Sequence, residues 1–579
     1  MDGRAVAARP GRRPVQRDGG ALQRADPPRP VPSGRASGSK ADGDVSYGGL
    51  RLGQVPPVRV REQFPSAFRG RGEAVRDDAK RRRGAASLRV RLAEVLPART
   101  EDHEAQAGGG ERAEPPEHVT SVVAGAEPVE PSGAPLPCRT QTTRWRARLQ
   151  RIARFTVADT EDNAQGSANG RLLIIGGGIS GMTVALEAAE TGREVVLVER
   201  SAYLGGRVVQ SNQYFPKLCP PSCGLEINLK RLRANPRIRV YTLAEVEKVA
   251  GGKGNFEITV RQNPRFVNEK CTACDDCTAV CPVERDNPFN YGLDKTKAIY
   301  QPHQRSFPLR HVIDMTVCQG KDCNKCVAAC KYDAIELDMQ PRTFTVQAAS
   351  VVIATGWQPP DATKLEKLGF GQYPNVITNV MMERLAAPDG PTGGKLLRPS
   401  DGHPAKKVAF VQCAGSRDEN HYPYCSGVCC LASLKQATYV RESGADAEAR
   451  IFYIDVRATG RLEDFFTRVS SDEKVSLNKG KVANIEEDPT THNLFVEAED
   501  TLSGRKLREE ADLVVLATGM TPCDGLPELP LNVPRDDYGF FVDDDSRNGI
   551  YAVGCAKKPV DVATCVRDAT GVALKAMQA

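Results

Sequence analysis

Residues Leu172–Arg200 read LLIIGGGISGMTVALEAAETGREVVLVER. The apolar run Leu172–Ile175 predicts a buried strand, and a second apolar run closing on Glu199 predicts another. Between them Gly176, Gly178 and Gly181 stand at G-x-G-x-x-G spacing, ahead of a helix with a small, apolar face. In a strand–helix–strand unit these glycines have separate tasks. The first permits the tight turn, the second lets backbone approach a pyrophosphate at the helix N-terminus, and the third lets helix and strand pack closely. Glu199 sits where an acid accepts the hydroxyls of an adenosine ribose. A glycine turn before a buried helix can be purely structural. Here strand, turn, helix, strand and terminal acid agree on a dinucleotide site.

The landmarks further along point to a flavin. Gly205-Gly206-Arg207 follows the acid closely, and flavoproteins with two dinucleotide domains carry a similar element, in which glycine backbone and arginine meet the flavin pyrophosphate. VVIATG at Val351–Gly356 and LVVLATG at Leu513–Gly519 each run a buried strand into a small turn, nominating Thr355, Gly356 and Gly519. GIYAVG at Gly549–Gly554 is a third such element and nominates Gly554. It precedes a predicted helix, Val562–Met577, whose N-terminus can face the flavin. The repetition describes a chain that leaves its first domain, builds another and returns. KKVAFV at Lys406–Val411 opens the second α/β unit, but Gln412-Cys413-Ala414-Gly415-Ser416-Arg417 stands where a nicotinamide-binding turn would carry three glycines. Only one is present, which argues against a nicotinamide site there.

The chain holds 18 cysteines and no apolar signal segment after its early arginines. Clustered C-x-x-C spacing without a secretory signal favours metal ligation over disulfides. Cys271-x2-Cys274-x2-Cys277-x3-Cys281-Pro282 is the bacterial ferredoxin run, and Cys318-x4-Cys323-x2-Cys326-x3-Cys330 differs from it only in the first gap and the missing proline. Three thiolates of such a run wrap one [4Fe–4S] cube, and the fourth usually ligates the other. This rule assigns Cys271, Cys274, Cys277 and Cys330 to one cluster and Cys318, Cys323, Cys326 and Cys281 to a second. A zinc ribbon would use paired C-x2-C knuckles, which suit neither run. A further group, Cys413, Cys425, Cys429 and Cys430, matches no common spacing, so metal ligation and packing both stand open on spacing alone. Cys219-Pro-Pro-Ser-Cys223 departs from the C-x4-C pair of disulfide-exchanging flavoenzymes; lining a flavin pocket, ligating a cluster with a partner and packing all remain open for it.

The net charge of +6 conceals an asymmetry: residues 1–160 hold 29 basic and 19 acidic residues, the remainder 50 and 54. The body is mildly acidic, so a uniformly basic nucleic-acid surface is not expected. No run approaches the ~18 apolar residues of a membrane span. Residues 1–167, rich in Arg, Pro, Gly and Ala, read as a disordered basic leader. With no methionine between Met1 and Met182, this leader is also read as an upstream frame, translation starting at a non-AUG codon near Val157. The expected organisation is an FAD-binding domain over 168–263, 341–403 (with a linker) and 513–579, a ferredoxin-like insertion over 264–340 and a degenerate nicotinamide-type domain with the Cys-rich cluster site over 404–512.

The stretches GGGISGMTVALEAAETG, YFPKLCPPSCGLEIN, KCTACDDCTAVCPVE and, above all, FVQCAGSRDENHYPYCSGVCCLASLKQATYVRE resemble the A subunit of heterodisulfide reductase. Within that family they look more like the A subunit of the quinone-interacting membrane-bound oxidoreductase complex. The resemblance runs from Leu172 to Lys575. It implies a thioredoxin-reductase-like body with FAD, a ferredoxin-like insertion and a third cubane held by Cys413, Cys425, Cys429 and Cys430. By resemblance, the collapsed nicotinamide turn is an electron port. The chain would be an oxidoreductase subunit converting between electron pairs and single electrons, with no general base or nucleophile. The resemblance also implies a cytoplasmic protein, peripherally attached to the membrane through partner subunits that include a membrane subunit. Adenylylsulfate reductase is the expected soluble partner, in dissimilatory sulfur metabolism. The alternative is an electron-bifurcating subunit of heterodisulfide reductase type. If the leader is an upstream frame, mass spectrometry of the native protein finds no peptides from residues 1–150.

Overall fold

The structure, a computed structural model, describes residues 170–523, 531, 533–542 and 548–578; the leader expected over 1–167 lies outside the described residues. In chain order its principal strands are β1 (Leu172–Ile175), β2 (Val195–Glu199), β3 (Ile238–Thr242), β4 (Ser350–Ile353), β5 (Val376–Thr378), β6 (Lys407–Val411), β7 (Glu448–Tyr453), β8 (Val475–Lys479), β9 (Leu513–Leu516) and β10 (Ile550–Ala552). They form two wholly parallel sheets, ordered β10-β4-β1-β2-β3 and β5-β9-β6-β7-β8.

Parallel strands are buried on both faces, and these alternate accordingly. Leu172 and Ile174 of β1 pack on the helix side, with α1 (Ile179–Glu190), α2 (Ser222–Ala234) and α8 (Val562–Ala576). Leu173 and Ile175 face a three-stranded antiparallel sheet, Ala244–Gly252, Asn255–Gln262 and Arg342–Ala348. The second parallel sheet repeats the plan. Phe410 packs on the helix side, with α6 (Cys429–Ser443) and α7 (Leu462–Ser470), while Ala409 and Val411 face the meander Val482–Glu487, Leu494–Asp500 and Arg505–Ala511. In each half, three parallel strands lead into an antiparallel meander and then a fourth parallel strand beside the first. The chain is thus an α/β protein with two dinucleotide-type domains, and the first is completed by β10 and α8 from the C-terminus.

The cysteine-rich insertion leaves the first meander after Gln262 and returns at Arg342, and these two residues are register partners. Its ends already lie side by side, so the host sheet needs no distortion to carry it. The insertion holds two short helices, α3 (Asp276–Val280) and α4 (Lys325–Ala329), each entered through a left-handed residue, Asp275 at φ 69° and Asn324 at φ 47°. Asn and Asp tolerate that conformation better than most side chains. The helix α5 (Asn379–Ala386) packs Met382 and Leu385 into the core of the second half, and its Glu383 accepts from Asn212 N–H of the first.

Buried polar groups fix the insertion to its host. The Arg265 guanidinium donates to the carbonyls of Ala202 and His311 and to Thr242 Oγ1. His303 stacks on Phe289, with ring centroids 4.9 Å apart, and meets Tyr203 edge-on at 5.1 Å. Burial holds the His303 imidazole at about 4, below its usual 6.5. The neutral ring is what the fold accommodates, so its contribution to stability is complete above about pH 6.5 and is lost progressively as the pH falls towards 4. Between about pH 7.5 and about pH 4.5, urea unfolding should show the native chain losing about 2.5 kcal/mol more than a His303→Phe variant.

Candidate flavin and cluster sites

The turns after β1, β4 and β9 all open onto one cavity of about 780 Å³. Gly176, Gly178, Glu199, Gly206, Arg207, Thr355, Gly356 and Gly519 line it. Gly178 and Gly206 face each other as bare backbone. A Cβ added to Gly178 would meet nothing closer than Gly206 Cα at 3.9 Å, whereas one added to Gly206 would stand 3.0 Å from Gly178 Cα. This is a cradle that side chains would fill, beside the N-terminus of α1, and it suits a pyrophosphate. The Glu199 carboxylate accepts from Gly177 N–H at 2.6 Å and Ser201 N–H at 2.7 Å. Those bonds orient it and leave each oxygen a lone pair for a ribose hydroxyl.

Arg207 donates to Gln210 Oε1 at 3.3 Å and to the Tyr291 hydroxyl at 3.2 Å, so a residue of the insertion helps hold it. Two nominated glycines are absent from the cavity wall. A Cβ on Gly181 would lie 1.9 Å from Gly176 O, which makes it a packing residue of the turn. Gly554 spends its N–H on Asp568 Oδ2 at 2.7 Å; its neighbour Cys555 reaches the cavity instead. Asp561 and Val562, at the start of α8, do line it, as the helix direction predicts.

Sequence reasoning missed the far wall. Lys435 of α6 pairs with Glu383 of α5 at 2.8 Å, and Gln436 donates to the same carboxylate at 2.6 Å. All three residues line the cavity and are buried. The Tyr439 hydroxyl also donates to Glu383, at 3.3 Å, and burial with that carboxylate pushes its pKa far up. No spacing rule joins residues 383 and 435; only the packing of α5 on α6 does.

In the insertion, a small cavity is walled by Cys271, Cys274, Cys277 and Cys330, a set that crosses between the two runs. Cys326 lies near Cys318 and Cys281, whose charges join burial in raising its thiol pKa. Backbone N–H groups point at the sulfurs in a repeating pattern, Ala273 to Cys271 at 3.5 Å and Gly320 to Cys318 at 3.4 Å. His311 lies 3.8 Å from Cys271 Sγ through Nδ1 and 3.0 Å from Asp275 Oδ1 through Nε2. Such N–H···S contacts suit cluster thiolates and tune their potentials.

The third group occupies the turn after β6, where the first domain carries its glycines. Cys413 sits at φ 56°, and Cys429 and Cys430 begin α6. Burial pushes the Cys413 thiol up to about 11, with Cys430 and Cys425 adding to the shift, and raises Cys429 further. Cys277 is likewise held at about 12 by burial. Thiols this reluctant to ionise become ligands only against metal charge. Among the described residues no three His, Cys, Asp or Glu side chains close on a point a single ion would fill. A four-iron cube takes one thiolate at each corner iron and accepts ligands spread around it. Cys219 and Cys223 are absent from the cavity wall; Cys223 is exposed.

Fold and cradle together define an FAD-dependent oxidoreductase, and the family model described as FAD dependent oxidoreductase matches residues 172–220. The chain is 38% identical over 441 residues to an iron-sulfur A subunit of the CoB–CoM heterodisulfide reductase of Methanopyrus kandleri, covering 74% of this chain and 67% of that one. The chain belongs to the family of heterodisulfide reductase A subunits. It is 38% identical to the A subunit of the ferredoxin/F420H2-dependent CoB–CoM heterodisulfide reductase of Methanosarcina acetivorans, over 74% of this chain and 55% of that protein. With the A subunit of the H2:CoB–CoM heterodisulfide,ferredoxin reductase of Methanothermobacter marburgensis it shares 34% identity, over 73% and 66%. The chain therefore spans between about half and two thirds of these relatives' lengths. Among solved structures, the thioredoxin reductase of T. acidophilum aligns with 71% of this chain and 99% of its own, at 15% identity and a TM-score of 0.40. No helix among the described residues is long and apolar enough to cross a membrane.

The cradle separates two glycine substitutions. Gly178 has φ −75°, which any residue adopts, so Gly178→Ala should fold normally yet lose flavin, the flavin-to-protein absorbance ratio falling about tenfold or more. Gly181→Ala forces backbone apart and should lower the melting temperature as well.

Proposed function

We propose that this chain is the flavin and iron–sulfur subunit of a heterodisulfide-reductase-type complex working by flavin-based electron bifurcation. The observation that carries this reading is Cys429, which lines the flavin cavity and belongs to the four-thiol element Cys413, Cys425, Cys429 and Cys430. When bound, FAD exchanges electrons in pairs and each cubane exchanges them singly, which is the chemistry bifurcation requires.

The chain's own residues hold and orient. Gly176, Gly178 and Gly206 take the pyrophosphate, Glu199 the ribose, and Arg207 the adjoining anionic charge. The buried Lys435–Glu383 pair sets a fixed dipole in the far wall. Cys271, Cys274, Cys277 and Cys330 hold one cube, Cys318, Cys323, Cys326 and Cys281 the second, and the Cys413–Cys430 element a third. The relatives support partners of a given kind: a component that reduces a thiol heterodisulfide, and components that handle H2, F420H2 or ferredoxin.

A second reading keeps the quinone-linked branch of the family, with adenylylsulfate reductase and a membrane subunit as partners and a peripheral place at the cytoplasmic face of the membrane. The resemblance of FVQCAGSRDENHYPYCSGVCCLASLKQATYVRE favours it. Co-purification separates the two: hydrogenase or heterodisulfide-reducing subunits go with the first, quinone-reactive membrane subunits with the second.

Anaerobic iron, sulfide and flavin analysis of the purified chain should give about one flavin and about twelve irons, with an EPR signal after dithionite reduction. Cys429→Ser should lose about four irons and keep its flavin. About eight irons in the native protein would leave the Cys413–Cys430 element empty and remove the observation on which the proposal stands.

A further inference from the structure

Among the five described thiols outside the ligand sets, two lie side by side. Cys555 lies in the single 3-10 turn Gly554–Ala556 directly after β10, and Cys565 lies in the first turn of α8. Their sulfurs are 3.7 Å apart, both side chains are buried, and both residues line the flavin cavity. A disulfide needs the sulfurs at about 2.05 Å, so side-chain rotation rather than large backbone travel has to close the gap. Gly554 keeps the space open. A Cβ there would stand 2.3 Å from Ser180 Oγ and 3.3 Å from Cys565 Sγ.

The surroundings make the two thiols unequal. The hydrogen bond shared with Cys555 and one from Ser180 lower the Cys565 pKa, and the residue sits near the N-terminus of α8, where a thiolate is favoured. The hydrogen bond shared with Cys565 and burial raise Cys555, whose S–H is also within reach of the Val560 carbonyl at 3.4 Å. One ionisable thiol touching one protonated thiol is the arrangement of an exchanging dithiol.

We propose that Cys555 and Cys565 form a dithiol/disulfide couple that exchanges with small disulfides admitted to the cavity. The Cys565 thiolate, its proton released to solvent, attacks one sulfur of a small disulfide; that S–S bond breaks, a Cys565 mixed disulfide forms, and the first small thiolate leaves and takes up a proton. Cys555 then gives up its proton and its sulfur attacks Cys565 Sγ. The Cys555–Cys565 bond forms as the mixed disulfide breaks, and the second small thiolate leaves with that proton. Two cysteines are oxidised by two electrons in all, and one small disulfide is reduced to two thiols. The couple itself requires neither FAD nor a cluster, although both cysteines line the cavity that the reading above gives to FAD.

Cystamine added anaerobically to the full chain, followed by maleimide blocking and trypsin digestion, reads the site directly. Cys555 and Cys565 fall on separate peptides, NGIYAVGCAK and KPVDVATCVR. The expected product is these two peptides joined by a disulfide. In Cys555→Ser, cysteamine should stay trapped on Cys565, while in Cys565→Ser the remaining Cys555 should take up about tenfold less. Recovery of both native peptides carrying only maleimide, or equal labelling of the two single variants, would overturn the proposal.

Discussion

A phosphate reaches backbone amides only where no side chain stands between them, and the organisation of this chain follows from that constraint. Gly178 and Gly206 meet as bare backbone at the C-terminal end of the first parallel sheet. Further walls of the cavity come from turns after other parallel strands, Thr355 after β4 and Gly519 after β9, and from α5 and α6 of the second half. Ligands of open α/β sheets bind outside the carboxyl ends of the strands, and here two sheets present those ends to one cavity. The C-terminal segment 550–576 is needed to complete the first sheet and to bring α8 to the cavity rim, which is why the two halves cannot be separated by a single cut in the chain.

The insertion is a different solution to the same problem of placing cofactors. It is too rich in cysteine and too short of apolar residues to have much core of its own, so it leans on buried polar ties to its host. Arg265 meets carbonyls on both sides of the junction, and Arg384 of α5 donates to Asn290 Oδ1 at 2.8 Å while pairing with Asp389 at 3.0 Å. Buried charges of this kind add little net stability but penalise any arrangement that leaves them unpaired. Tyr291, reaching Arg207, carries the insertion to the edge of the flavin site itself.

The two halves show how one topology accepts two chemistries. After β1 the turn is glycine, which yields space. After β6 the equivalent turn is cysteine, with Cys413 forced to φ 56° and Cys429 and Cys430 in the first turn of the following helix. What the first turn offers a phosphate through backbone N–H groups, the second, on the proposed reading, would offer a metal centre through sulfur. Cys429 reaching the cavity ties the two turns together.

Much of this was legible in the residues alone. The strand–turn–helix fingerprint, the ferredoxin spacing and the small turns after buried strands are local patterns, and periodicity within a dozen residues suffices to read them. The sequence also determined that the turn after Val411 lacks the glycines of a nicotinamide site. Only the tertiary structure decided which distant residues meet. It placed Gly181 and Gly554 in packing rather than at the cavity, brought Lys435 against Glu383, set His311 between Cys271 and Asp275, and put Cys555 beside Cys565 and Ser180. Those contacts depend on how helices cross and how far a chain segment returns after an excursion. Such geometry follows from the packing of whole faces, and a one-dimensional pattern carries no record of it.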